Sequence, residues 1–234
     1  MKTINLILLI SLLRLNSHAQ VHVSIHAGAN MGNVITKANG DKDNAIKAAP
    51  GYTISGLVNI PLGNNLFFQT GLQFESIHNK VNTQSFIDFG SGFTISETFS
   101  GRAYFNYVNI PLTLLYKIPA GKKNLTLGAG PFIGIGAGGR SKSTDITKTT
   151  NGGTTTSSEY RYNEKIQFGS ADTAIKRTNL GIGLTLGYTP THNFSFSIYA
   201  NTGLLNINNR DNYTSKTFAY GLTIGYVFTK KERH

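Results

Sequence analysis

Along most of this chain, large apolar residues return at every second position. The pattern is sharpest near the C-terminal end, in KTFAYGLTIGYVF. There Phe218, Tyr220, Leu222, Ile224, Tyr226 and Phe228 share one face, and Thr217, Ala219, Gly221, Thr223, Gly225 and Val227 share the other. A period of two with unlike faces predicts a β-strand standing between two different environments. NLGIGLTLGY repeats it, with Leu180, Ile182, Leu184 and Leu186 against Gly181, Gly183, Thr185 and Gly187. In FSFSIYANTG, Phe194, Phe196, Ile198 and Ala200 oppose Ser195, Ser197, Tyr199 and Asn201. The segments of this kind predict eight strands, at about 21–30, 51–60, 66–76, 102–118, 124–138, 176–188, 194–205 and 216–228.

The connections run alternately long and short. PLGNN (61–65), PAGKK (119–123) and TPTHN (189–193) each join Pro to the Gly or Asn of a tight turn. The long ones span about 31–50, 77–101, 139–175 and 206–215. The third contains SKSTDITKTTNGGTTTSSEY, whose Thr, Ser and Gly content predicts a mobile loop. Strict alternation puts every short turn at one end, as in bacterial outer-membrane barrels. The predicted fold class is therefore all-β: an eight-stranded antiparallel up-and-down transmembrane β-barrel with short periplasmic turns and four long extracellular loops. A soluble lipocalin-like barrel is the alternative, and it would turn Phe218, Tyr220, Leu222 and Ile224 inward around a greasy ligand. The opposite face favours the membrane. It is Gly, Thr, Ser, Asn and Gln with sparse charge, suited to a narrow hydrogen-bonded lumen.

Composition agrees. Charged residues are 14% of the chain, where about a quarter is usual in soluble domains. There is no cysteine, which excludes disulfides, thiolate metal sites and a lipidated N-terminal cysteine. MKTINLILLISLLRLNSHAQ places Lys2 before an apolar run and ends with Ser17 and Ala19 at the −3 and −1 positions of a cleavage site. This predicts a signal peptide over 1–19 and a barrel over 20–234. The run is shorter than the about 20 apolar residues of a spanning helix. The formal net charge is +11. The cations are scattered along an exported chain, so the expectation is no nucleic-acid partner.

Three constellations bear on chemistry. GAGPFIGIGAGG invites a phosphate-loop assignment, but its glycines fall at period two and no helix follows, so they are expected to make room for lumenal side chains. His22, Ser24 and His26 share the lumenal face of the first strand. A base beside a nucleophile raises an outer-membrane lipid-modifying enzyme as an alternative, but a lumen lined with polar residues is expected in any case. At i and i+4 on a strand, the two histidines lie about 13 Å apart, too far to share a metal ion. Glu75 lies on the face of Gln69, Gly71 and Gln73, while Arg102 and Arg177 begin later strands at the same end. A buried carboxylate needs a partner. The expected lumenal polar cluster is Glu75, Arg102, Arg177, Gln73 and Asn109, with Glu75 paired to one of the arginines or else standing at the solvated rim. Pro111 falls mid-strand, and its missing N–H predicts a bulge or break there.

YVNIPLTLLYK (Tyr107–Lys117) resembles the fourth strand of PorT-type outer-membrane β-barrel proteins of Bacteroidota. GAGPF (Gly128–Phe132), GLLNI (Gly203–Ile207) and the closing GYVF (Gly225–Phe228) resemble later strands of that family in the same order. Two features depart from it. Asn109 stands where the family often has an acid, and TKKERH follows Phe228. The resemblance implies residence in a bacterial outer membrane and contact with outer-membrane lipid. It also implies insertion by barrel-assembly machinery that reads the aromatic closing strand. The expected function is structural, adhesive or secretion-accessory, through a protein partner at the extracellular loops. The expectation is neither enzyme nor cofactor.

Overall fold

The alternating strands close into a ring. The computed structural model describes residues 21–38, 41–42, 45–121, 123–172, 174–190 and 193–228. The expected signal peptide and the TKKERH tail lie outside these residues. The strands are β1 (His22–Ala38), β2 (Asp41–Lys42), β3 (Ile46–Gly63), β4 (Leu66–Asp88), β5 (Phe93–Pro111), β6 (Thr113–Ala120), β7 (Lys123–Asn151), β8 (Thr154–Lys165), β9 (Thr178–Thr189), β10 (Phe194–Gly203) and β11 (Tyr213–Phe228). The sheet runs β1–β3–β4–β5–β7–β9–β10–β11, and β11 pairs back onto β1 from Phe228↔Val23 to Tyr213↔Ala38. With β6 continuing β5, this is an eight-membered antiparallel ring, each member matching one predicted strand.

The two faces fall as the alternation predicts. On the outside, Leu222, Ile224 and Leu184 are 63%, 58% and 58% exposed. Inside, Ser24, Thr53, Asn109, Asn179 and Thr217 are buried. The soluble alternative required Tyr220, Leu222 and Ile224 inward, and all three point out. Apolar area costs roughly 25 cal/mol per Å² in water, so this belt belongs against lipid.

Two expectations about the connections are corrected. A tilted spanning strand needs about 9–11 residues, yet β4 has 23 and β7 has 29. The stretches expected as loops at 31–50, 77–101 and 139–175 are largely strand. SKSTDITKTTNGGTTTSSEY, expected as loop, lies in the hairpin of β7 and β8, closed by Gly152 (φ 55°) and Gly153 (φ 83°) between the pair Asn151↔Thr154. Two central residues with positive φ form the turn whose twist suits a hairpin. Alternating Thr and Ser supply the extended strands on either side.

The register explains where barrel gives way to platform. β7 pairs with β9 only as far as Ile135↔Thr178, then with β8 from Arg140↔Lys165. Between them the β5–β7 register shifts by one residue at Asn106/Tyr107, leaving Ala137 bulged. The β3–β4 register shifts at Ala49/Tyr52, at the same height on the other side of β4. Bulges bend strands at barrel rims. Here they flank β4 and β5 where those strands leave the barrel, to run with β7 and β8 as a sheet above the membrane.

The strand break at Pro111 is present. β5 ends at Pro111 and β6 begins at Thr113, with Leu112 between them. Leu112 donates its N–H to the Pro131 carbonyl at 2.9 Å, so the Pro111 nitrogen faces the other way, toward β4. Pro131 has no N–H to return to Leu112. Pro111 thus lacks a ladder bond toward β4, and Leu112 lacks one toward β7.

Candidate functional site

Buried polar groups converge in the lumen, which is built in three layers. The uppermost is an apolar plug. Val34 of β1, Ile77 of β4, Phe105 and Tyr107 of β5, Ala219 of β11 and Ile207 are buried together, with Ile166, Phe168 and Ile175 packed against them. The last three come from the segment between β8 and β9, which folds back into the barrel mouth. Asn209 fastens it there, its amide donating to the carbonyls of Gly169, Ala171 and Ala174 at 2.9–3.0 Å. Lys176 N–H donates to Ile207 O at 2.7 Å. The Phe168 ring meets Tyr107 edge to face at 5.8 Å and lies where a Cβ on Gly136 would stand. The glycine of GIGAGG is therefore a socket for a side chain, as expected.

Glu75 forms the middle layer. It is 1% exposed. Asn109 Nδ2 donates to its Oε2 at 3.0 Å, and Asn201 Nδ2 reaches both oxygens at 3.3 Å. β4 and β5 supply Glu75 and Asn109, while Asn201 comes from β10 on another wall, so the carboxylate ties the ring across its bore. Tyr199 stands beside it. Gln73 donates to Thr53 Oγ1 at 3.3 Å, and Thr53 donates to Phe74 O at 3.1 Å.

Of the expected cluster, the structure brings together Glu75 and Asn109 and sets Gln73 just below them. It does not bring in the arginines. Arg102 is exposed on the platform, paired in register with Lys80 and Lys142. Arg177 is exposed and donates to Phe168 O at 3.5 Å. The ion pair found among the described residues is Arg161–Glu159, at 2.6 Å and far from the lumen. The correction has a simple cause: Arg102 is opposite Lys80, five residues along β4 from Glu75, or about 16 Å. Three amide N–H bonds replace the ion pair. Sequence reasoning missed Asn201 as a ligand of Glu75, although its face was assigned correctly. It also missed Phe168 and Ile207, whose segment carries no period-two signal.

Below Glu75 the lumen widens to a cavity of about 320 Å³. His22, His26, Lys117, Gln69, Thr126 and Ser195 are among its lining residues. His26 and Ser24 share a hydrogen bond of 2.9 Å between Nε2 and Oγ. The Lys117 ammonium lies 3.8 Å from the centre of the Phe67 ring. No group of three His, Cys, Asp or Glu side chains among the described residues is placed to hold a metal ion.

Solved barrels resemble the chain weakly. Ail of Yersinia pestis, in complex with the heparin analogue sucrose octasulfate, is 15% identical at a TM-score of 0.35, over 89% of this chain and 99% of Ail. Neisserial surface protein A is 12% identical at 0.37, over 88% and 97%. OprG of Pseudomonas aeruginosa is 11% identical at 0.37, over 91% and 98%. No curated protein matches the sequence. The family model of the outer membrane protein beta-barrel domain matches residues 16–209, most of the chain. The closed ring, its apolar belt and that match together make the chain a member of the outer membrane protein beta-barrel domain family, resident in the bacterial outer membrane.

Proposed function

We propose that this chain is a PorT-type surface protein that works by binding an extracellular protein partner along its platform, in an adhesive or secretion-accessory role. One observation carries the proposal. β8 is twelve residues long, exposed at every position, and paired, among the described residues, to β7 alone. An unpaired edge of that length is a template on which an extended segment can add as the next strand. Phe86, Phe89, Tyr160 and Tyr162 are exposed on the same platform and offer aromatic anchors. The apolar plug and the Glu75 layer above the cavity favour a binding role over a pore. Catalysis is not part of the proposal. The Ser24–His26 pair lies in the lower lumen, away from the outer rim where lipid substrate would arrive. The remaining partners follow from the belt and the closing strand: lipid around the barrel, and the assembly machinery at Tyr226 and Phe228 during insertion.

The test is to excise the β7–β8 hairpin from Ser141 to Glu164 and rejoin Arg140 to Lys165 with a two-residue Asn-Gly turn. These residues are already paired across the hairpin. The shortened barrel is expected to insert and keep heat-modifiable gel mobility while cell adhesion, or the yield of secreted protein, falls to the level of a deletion strain. Unchanged adhesion and secretion with the hairpin gone would refute the proposal.

A further inference from the structure

Antiparallel strands place residues in register directly side by side on one face. In β3, β4, β5 and β7 the register reads Lys47↔Lys80, Lys80↔Arg102 and Arg102↔Lys142. Four cations therefore form one row across four adjacent strands, at about 4.8 Å per strand. All four are exposed. The rung below continues the sign, because Arg140 pairs with Lys165. Arg140 has a neutral partner, Asn163 Oδ1 at 3.3 Å. Among the described residues no carboxylate lies within ion-pair distance of any of these cations, and Glu159, higher on β8, is bonded to Arg161. Like charges directly opposite one another destabilise a sheet, and here nothing within the described chain offsets them.

The row stands on the outer face. On β4 it continues Phe68, Leu72 and Phe74, and on β5 it continues Ile110 and Val108, the same face that meets lipid lower down. Lys80 is six residues above Phe74, or about 20 Å along the strand. A strand tilt near 40° reduces this to a height of about 15 Å. The polar layer of a bilayer leaflet is roughly 5–8 Å deep, and flexible Lys and Arg stems reach back toward it. Arg140 is lower still. Leu66 to Phe74 spans about 20 Å of height. An apolar band of about 25 Å therefore ends about 5 Å above Phe74, and the row stands about 10 Å beyond it. There the stems reach down to the head groups, on a surface continuous with the belt. The occupant that fits this height and charge is an outer-leaflet lipid whose anionic groups stand above its acyl chains.

We propose that the row Lys47, Lys80, Arg102 and Lys142, with Arg140 and Lys165 beneath it, binds the phosphate groups of a phosphorylated glycolipid in the outer leaflet. The bound anions offset the repulsion along the row and hold one side of the barrel to its lipid. The proposal rests on residence in the outer membrane and not on the partner proposed for the β8 edge.

The test uses the full chain reconstituted in phosphatidylcholine vesicles containing a minor fraction of bis-phosphorylated lipid A, or of its dephosphorylated form. Lipid retained through detergent extraction is counted by native mass spectrometry. The wild type is expected to retain the phosphorylated lipid in preference to the dephosphorylated one. A surface cation contributes roughly a fivefold gain in affinity for an anionic surface, so Lys80→Ser, Arg102→Ser and Lys142→Ser together should cost about a hundredfold. Lys148→Ser, outside the row, should change nothing. Rising salt should weaken retention by the wild type itself, which tests the idea even if the triple variant assembles poorly. Equal retention of both lipids, salt-independent retention, or an undiminished triple variant would overturn the proposal. So would a triple variant that loses binding to soluble polyphosphate while keeping wild-type lipid retention, since that places the site's ligand in solution.

Discussion

Glu75 is the sharpest place to test how this barrel is held together. Glu75→Ala removes a buried carboxylate and with it three amide hydrogen bonds, one from Asn109 and two from Asn201. Asn109 suffers most. It is 2% exposed, and its Oδ1 already lacks a partner, so the whole amide is left unpaired. A buried polar group without a partner costs about 1–3 kcal/mol. Asn201 borders the lower cavity and can recover water there. Removing a buried carboxyl group that has no cation beside it returns part of the cost. The net expectation is a destabilisation of about 1–2 kcal/mol, dominated by Asn109. Glu75→Gln behaves differently. Its carbonyl still accepts one amide, and its NH2 can donate to the vacant Asn109 Oδ1, so the change should stay within about 1 kcal/mol. The chain has no tryptophan, so urea unfolding in lipid vesicles is followed by far-UV circular dichroism and heat-modifiable mobility. The account fails if Glu75→Ala costs under 1 kcal/mol. It also fails if Glu75→Gln costs as much as Glu75→Ala, because the negative charge itself would then be what the site requires.

Two further perturbations probe the plug and the belt. Gly136→Val puts a side chain into the space of the Phe168 ring. It should expel the segment between β8 and β9 and speed tryptic cleavage at Lys176 and Arg177 while the barrel persists; unchanged cleavage would show that Phe168 does not anchor the segment. Leu222→Arg places a charge at the most exposed apolar position of β11 and should cost about 2–4 kcal/mol. Ser157→Arg, on the solvated platform, should stay within about 0.5 kcal/mol. Equal costs for the two would contradict a lipid-facing belt.

The ring was legible because each strand carries its own evidence. Leu222 and Thr223 show which side faces lipid without reference to any other strand, and the eight alternating segments needed only to be joined in order. Pro111 was legible for a similar reason: its defect is local and covalent. The platform was less so. β7 and β8 above the membrane are solvated on both faces, so nothing selects one face for apolar residues, and Thr-rich strand resembles loop. Asn151-Gly152-Gly153 was the overlooked hairpin signal.

Sequence by itself determined the strand count, the outward and lumenal faces, and the end at which the short turns lie. These follow from a two-residue period and from turn chemistry, both of which act over a few residues. Only the tertiary structure decided what touches what. Asn201 reaches Glu75 from 126 residues away, Phe168 fills the space above Gly136, and four cations far apart in the chain line up because bulges and turns fix the register of β3, β4, β5 and β7. Register is set by the whole sheet at once, and a shift of one residue would turn every one of those side chains to the other face.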